Sequence, residues 1–400
     1  MPSVGRRDLS RSQVGGGGVW AALPLVALAA CDAPEPTRHQ PTVEVVDGVE
    51  IATLGPIPGP FDPDYLWTFR VVKEVRTVLP GSTDPLLFDP AAVEQLRDGR
   101  LLVHDPSAER PLVIVDPDTE AVVARFGSTG QGPGELSRRL VLSESREGLL
   151  VLDLGNRQVH RFDAEGAPLG SVGLDIATAA PNGVAAAGGS GFVVETVVDP
   201  DRTWVRSLVL IDPWSGSARP FADLPEPSGP AAGIFNRGRV LWTSTGGGLV
   251  SMWAYLPSVR VHAADGTLIR EIRLPFTRRV MTPAEIEAQI AQYGEIARGL
   301  RPGPMGLTNV LYATGDTVFG MFLAGMWRAA EDPVLPPGIW WRLFTLRGAY
   351  VGVVEQPEDF RYLGQGDATF WARVLDENAY PVLQELGLVR VAPAQGRGDE

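Results

Sequence analysis

Chemistry has few places to reside in this chain. It holds four histidines, His39, His104, His160 and His262, and one cysteine, Cys31. Imidazole ligates metals readily and titrates near neutrality, so His104, His160 and His262 would be the raw material of a metal centre or a proton relay. Asp105 follows His104, and Asp153 ends a similar apolar run. Carboxylates at strand ends suit a hard divalent cation, but aspartate there is also an ordinary turn former. Asp105, Asp153, His104, His160 and His262 are therefore the candidate channel or metal residues, and a divalent cation is the one cofactor left open. Lys73 is the only lysine. It lies in a strand-like run near the N-terminus and is not expected to form a Schiff base. There is no Gly-x-Ser-x-Gly elbow, Walker loop or zincin motif. No catalytic residue is assigned, and the balance leans away from an enzyme.

The elements that would position these residues must be short strands. The 400 residues include 46 glycines and 35 prolines, spread along the chain as turn punctuation. A hydrophobic content of 44% allows a real core. The formal net charge of −13 repels phosphate backbones, so nucleic acid is not an expected partner. With a single cysteine, no disulfide forms within the chain and no cysteine zinc site exists.

The N-terminus reads as an address. Arg6 and Arg7 precede an apolar, small-residue run from Val14 to Ala30, a charged n-region followed by a short h-region. The clean apolar part, Val19 to Ala30, is too short for an ordinary membrane-spanning helix. It ends in Leu28-Ala29-Ala30-Cys31, which resembles the bacterial lipobox. The resemblance implies cleavage before Cys31, lipid attachment to it, and a membrane partner through the anchor. Several acyl chains hold stably where one is marginal. The expected address is exported and lipid-anchored, to the cell membrane or the outer membrane.

Two copies of one pattern stand between Phe88 and Val172. The first is Asp98-Gly99-Arg100, Leu101 to Asp105, then Leu112 to Asp116; the second is Glu147-Gly148, Leu149 to Asp153, then Val159 to Asp163. Gly99 and Gly148 are 49 residues apart, the size of a four-stranded propeller blade. Blade 1 counts out as Ala92–Leu96, Leu101–Asp105, Leu112–Asp116 and Ala121–Phe126. One such sheet cannot bury both faces, so several must stack around an axis. Later runs predict three further blades and a sixth closed by Thr68–Val78, which removes a free edge. Thr282-Pro283-Ala284-Glu285 is a capping box that starts one short helix between blades 4 and 5. The expected fold is all-β, a six-bladed β-propeller of four-stranded blades with that helix inserted. A seventh blade would need more than an edge strand from Val43–Leu54. The expected boundaries are a signal peptide at 1–30, a lipidated Pro/Gly-rich tether with one or two edge strands at 31–65, the propeller at 66–395 and a disordered tail at 396–400.

Phe126-Gly127-Ser128-Thr129-Gly130-Gln131-Gly132-Pro133-Gly134-Glu135-Leu136, with Asp153-Leu154-Gly155-Asn156 and Phe162 to Gly166, closely resembles the NHL-type propeller repeat. The glycine-rich part would link two blades and need positive φ. Gln158 stands where the family usually has arginine, with Arg157 one residue earlier, which puts the local salt bridge to Asp153 in question. The whole is similar to six-bladed NHL-like propeller lipoproteins of the bacterial envelope. Related propellers include amidoglycolate lyases, which hold a metal through channel histidines, and lactonases with a calcium-like ion. Here the three histidines occupy different repeat positions, His262 matching Phe162, so no ring of equivalent ligands is implied. Trp340-Trp341 and Trp327 would suggest a carbohydrate or protein contact if exposed, but alternation sends at least one of the pair inward. Three functions follow: a binding or scaffolding module for a small ligand or an envelope protein, a metal-dependent lyase or lactonase-like hydrolase, and a periplasmic sensor or assembly factor.

Overall fold

The computed structural model describes residues 39–391, apart from 58–61, 78–86, 88, 133, 175–183, 187–190, 198–205, 223–239, 246–247, 254–255, 277–281, 294–309, 315–316, 324–338, 358–359 and 367. Cys31, the expected signal peptide, Trp327 and the expected tail lie outside the described residues.

The first strands are β1 (Thr42–Val46), β2 (Val49–Thr53) and β3 (Leu66–Arg76). Four-stranded antiparallel units follow. β4 (Ala92–Gln95), β5 (Leu101–His104), β6 (Leu112–Asp116) and β7 (Ala121–Phe126) form one. The next has β8 (Leu140–Ser145), β9 (Gly148–Asp153), β10 (Gln158–Phe162) and β11 (Pro168–Gly173). A third has β12 (Val184–Ala186), β13 (Phe192–Val197), β14 (Arg206–Ile211) and β15 (Ala218–Ala222). Then come β16 (Val240–Thr245), β17 (Gly248–Trp253), β18 (Ser258–Ala263) and β19 (Leu268–Arg273), extended outward by β2 and β1 through a parallel β19–β2 pairing. The helix α1 (Pro283–Tyr293) falls in the expected place. β20 (Val310–Thr314), β21 (Thr317–Leu323), β22 (Ile339–Thr345), β23 (Tyr350–Glu355), β24 (Arg361–Gln365), β25 (Phe370–Leu375) and β26 (Pro381–Arg390) complete the chain.

The arrangement is a β-propeller, but hydrogen bonding divides the described strands into five sheets, not the six blades expected. The difference has one cause. β3 pairs along its length with β26, as a closing strand should, and its first residues also pair in parallel with the end of β23, Leu66 with Val353 and Trp67 with Val354. That short pairing joins β20–β23 and β24–β26 with β3 into one eight-stranded sheet. Periodicity counts strands, whereas lateral pairing between distant segments decides how many sheets they make. Gly352 permits the junction. Its φ is +151°, and a Cβ there would stand 2.1 Å from the Tyr65 carbonyl oxygen and 2.6 Å from the Trp67 ring. Only glycine lets two backbones approach so closely.

The core lies between sheets, because middle strands such as β5 and β9 bury side chains on both faces, whereas the outer strand β11 is largely exposed. Leu101 and Val103 turn towards Trp371 and Leu383, whereas Leu102 turns towards Leu142 and Val151. The Trp pair divides in the same way. Trp340 packs with Val250, Met252 and Phe344, and Trp341 with Phe370, Ala372 and Leu386. Both tryptophans are buried.

The linking segment behaves as the glycines suggest. φ is +75° at Gly127 and +80° at Gly134, and Thr129 bridges Leu136. Aspartates at third-strand ends cap the outer hairpins. Asp116, Asp163 and Asp212 each accept the backbone N–H two residues on, at 2.9, 3.1 and 2.8 Å, and Asp376, after the second strand β25 of the last unit, does the same at 2.8 Å.

Candidate functional site

Asp105 and Asp153 occupy matching positions at the end of the second strand of adjacent units, Asp105 just past β5 and Asp153 closing β9, and both are fully buried. Each accepts a backbone N–H from 16 residues upstream, Asp89 to Asp105 at 3.2 Å and Ser137 to Asp153 at 2.7 Å. Asp105 also accepts from the Ser107 N–H at 3.1 Å. Asp153 is filled. Oδ1 accepts from the Ser137 hydroxyl at 2.5 Å and the Asn156 N–H at 2.9 Å, and Oδ2 accepts from the Ser137 N–H and, at 3.0 Å, the Asn156 amide. A carboxylate has about four acceptor sites, and protein donors occupy four on Asp153. These bonds tie the start of one blade to its inner loop.

The histidines are buried and spread across the fold. His104 ends β5 with Nε2 buried and unpartnered among the described residues. Burial pushes its pKa down to about 4, against a partial upward pull from Asp105 and Asp153. His160 on β10 stands 3.9 Å from Asp153 Oδ2; burial lowers its pKa, again against Asp153. His262 on β18 is opposite Leu249 as Phe162 is opposite Leu149, so it takes the Phe162 position as expected. Its pKa is also lowered by burial. Among the described residues, no three His, Cys, Asp or Glu side chains converge as a metal site. Asp153 links His104 and His160 electrostatically, and His262 lies apart from them.

Two arrangements escape sequence reading because they join neighbouring strands or blades. Ser251 Oγ meets His262 Nε2 at 3.1 Å, and Nδ1 of the same ring faces the Gly266 carbonyl at 3.3 Å. This is a nucleophile–base geometry, but Ser251 and His262 are each only 2% exposed, so no substrate reaches them. Glu94 on the inner strand β4 accepts the Glu144 N–H of inner strand β8, and burial drives its pKa up to about 7, with further repulsion from the Glu144 carboxylate.

An accessible concavity among the described residues lies elsewhere, where β23 ends and β3 begins. A groove of about 520 Å³ is lined by Leu66, Trp67, Phe69, Trp340, Glu355 and Gln356, among others. Its walls are braced. Trp67 Nε1 donates to the Val351 carbonyl at 3.0 Å, and Trp341 Nε1 donates to Gln356 Oε1 at 2.9 Å. Volume and lining fall in the range of small-ligand or side-chain pockets. Spacing could not reveal it, because Trp67 and Glu355 are almost three hundred residues apart.

No protein-family model matches the chain, and no curated protein matches it. Solved structures do. A member of the DUF4221 family from Bacteroides vulgatus is similar at 12% identity and a TM-score of 0.49, over 81% of this chain and 99% of that one. A Bacteroides fragilis protein described as exported is similar at 11% identity and a TM-score of 0.47, over 80% and 95%. A pyrroloquinoline-quinone-bound aldose sugar dehydrogenase from Streptomyces coelicolor is similar at 14% identity and a TM-score of 0.38, over 81% and 98%. At these identities and scores, neither activity nor address carries over to this chain. Among the described residues, no helix is long and apolar enough to cross a membrane.

Proposed function

We propose that the chain is a membrane-tethered binding module of the cell envelope, exported by residues 1–30, lipidated on Cys31, and presenting its propeller to a ligand or an envelope protein. The groove at the β23–β3 junction carries the binding half of this reading. It is braced, aromatic-floored and open, whereas the carboxylate and imidazole candidates serve the body of the fold. The anchor half rests on Leu28-Ala29-Ala30-Cys31. NHL-type kinship rests on Phe126 to Gly166.

Two measurements test it. Labelled palmitate fed to an expressing bacterium should enter the chain and be lost in Cys31→Ser; equal labelling of both defeats the anchor. Hydrogen exchange on the detergent-solubilised chain, with and without envelope extract, should show protection at the start of β3 and the end of β23. Protection elsewhere, or none, defeats the groove.

A metal-dependent lyase or lactonase-like hydrolase is the second reading. One observation favours it: among the described residues, His104 and His160 each bury an Nε2 that has no hydrogen-bond partner. After chelator treatment, thermal unfolding with calcium, magnesium, manganese and zinc decides it. An ion at about a hundred times its dissociation constant adds about 2.7 kcal/mol. An ion-specific rise would favour the enzyme; no rise with any ion would remove it.

A further inference from the structure

We infer that the β23–β3 groove takes a guanidinium group, that of an arginine side chain. This rests on the binding reading above and names its ligand chemistry.

Among the lining residues Glu355 alone is charged. It is exposed, and no cation pairs with it among the described residues. An unneutralised carboxylate at the lip of an aromatic groove disfavours anions and attracts cations, and the net charge of −13 extends that attraction outward. The floor supplies the second half of the recognition. Trp67, half-buried at the wall, presents indole surface that attracts a guanidinium through the ring quadrupole, while Phe69, stacked on Phe360, and the buried Trp340 back it. Trp67 is held by its bond to Val351, so little ordering remains to be done on binding.

Arginine fits better than lysine. Its planar fork can stack on an indole while donating two parallel bonds to one carboxylate. The protein already uses half of this chemistry internally. The Arg342 guanidinium lies 4.7 Å from the Phe276 ring centroid, and that of Arg161 lies 5.2 Å from the Trp214 ring. A neutral saccharide is served less well. Sugars need several donors and acceptors in array, and here the Gln356 oxygen is already engaged by Trp341.

The test uses the full chain in mild detergent and saturation-transfer NMR with three probes. N-acetyl-argininamide is the ligand mimic, N-acetyl-citrullinamide is its neutral isostere, and maltotriose is the sugar. The arginine probe should bind at least about tenfold more tightly than the citrulline probe. Glu355→Gln should remove that preference, and Glu355→Lys should abolish binding; the exposed position makes both variants foldable. Equal binding of arginine and citrulline probes overturns the inference. So does arginine binding that Glu355→Gln leaves unchanged, since it is then diffuse attraction to an acidic surface. Binding of maltotriose alone defeats the cation and leaves the groove. Binding of no probe defeats both.

Discussion

Asn156 holds both oxygens of Asp153, its backbone N–H on Oδ1 at 2.9 Å and its side-chain amide on Oδ2 at 3.0 Å. The same amide reaches across the blade link to the carbonyls of Gly130 and Glu135, at 3.1 and 3.0 Å. One short side chain thus joins the second blade's inner loop to the glycine-rich segment before it.

Asn156→Ala should therefore cost about 2 kcal/mol, since it leaves partly buried acceptors without donors. Asn156→Asp should cost more, because it sets a second carboxylate against Asp153. Urea unfolding followed by tryptophan fluorescence measures both. A loss under about 0.5 kcal/mol, the scale of ordinary surface substitutions, would refute the linking role.

Acid should destabilise the fold through its histidines. His104 has a pKa lowered from 6.5 to about 4, so the native state binds fewer protons than the unfolded chain between those values. Stability falls as pH drops through this window, by about 3 kcal/mol for this group. His160 and His262 shift in the same direction. The register of blade 2 places Leu152 where blade 1 has His104. His104→Leu should flatten the loss between pH 6.5 and 4 relative to the parent. Identical slopes would show that His104 is not the group responsible.

Glu94 works in the opposite sense. Its pKa is raised from 4.5 to about 7, so its contribution is full below pH 4.5 and is lost as pH rises through 7. Glu94→Gln should melt above the parent at pH 8 and close to it at pH 4. A variant less stable than the parent at pH 8 would mean that the ionised carboxylate is needed there.

Gly352→Ala tests the junction that merges two units into one sheet. Its Cβ would meet the Tyr65 carbonyl at 2.1 Å, and the backbone cannot yield cheaply. We expect a loss of about 2 kcal/mol or more. Hydrogen exchange at Leu66 and Trp67 should rise first, before any change in β8–β11. Uniform loss of protection would mean that the junction is not a local unit.

The sequence by itself determined the strands and their period. Short runs of Val, Leu and Ile bounded by Gly and Asp can hardly be anything else, and the 49-residue spacing of Gly99 and Gly148 made them blades. The helix at Pro283 and the closing role of the Leu66 strand were legible for similar local reasons, a cap and an unpaired edge. The tertiary structure alone decided the rest. The sheet count turned on Leu66 and Trp67 meeting Val353 and Val354, and the groove on Trp67 meeting Glu355. Whether Asp153 was a ligand or a brace depended on Ser137 and Asn156 filling its oxygens. Local patterns report how a residue sits on its own strand. Which backbone closes over it is settled by packing, whether the partner is 16 residues away, as Ser137 is from Asp153, or almost three hundred, as Leu66 is from Val353.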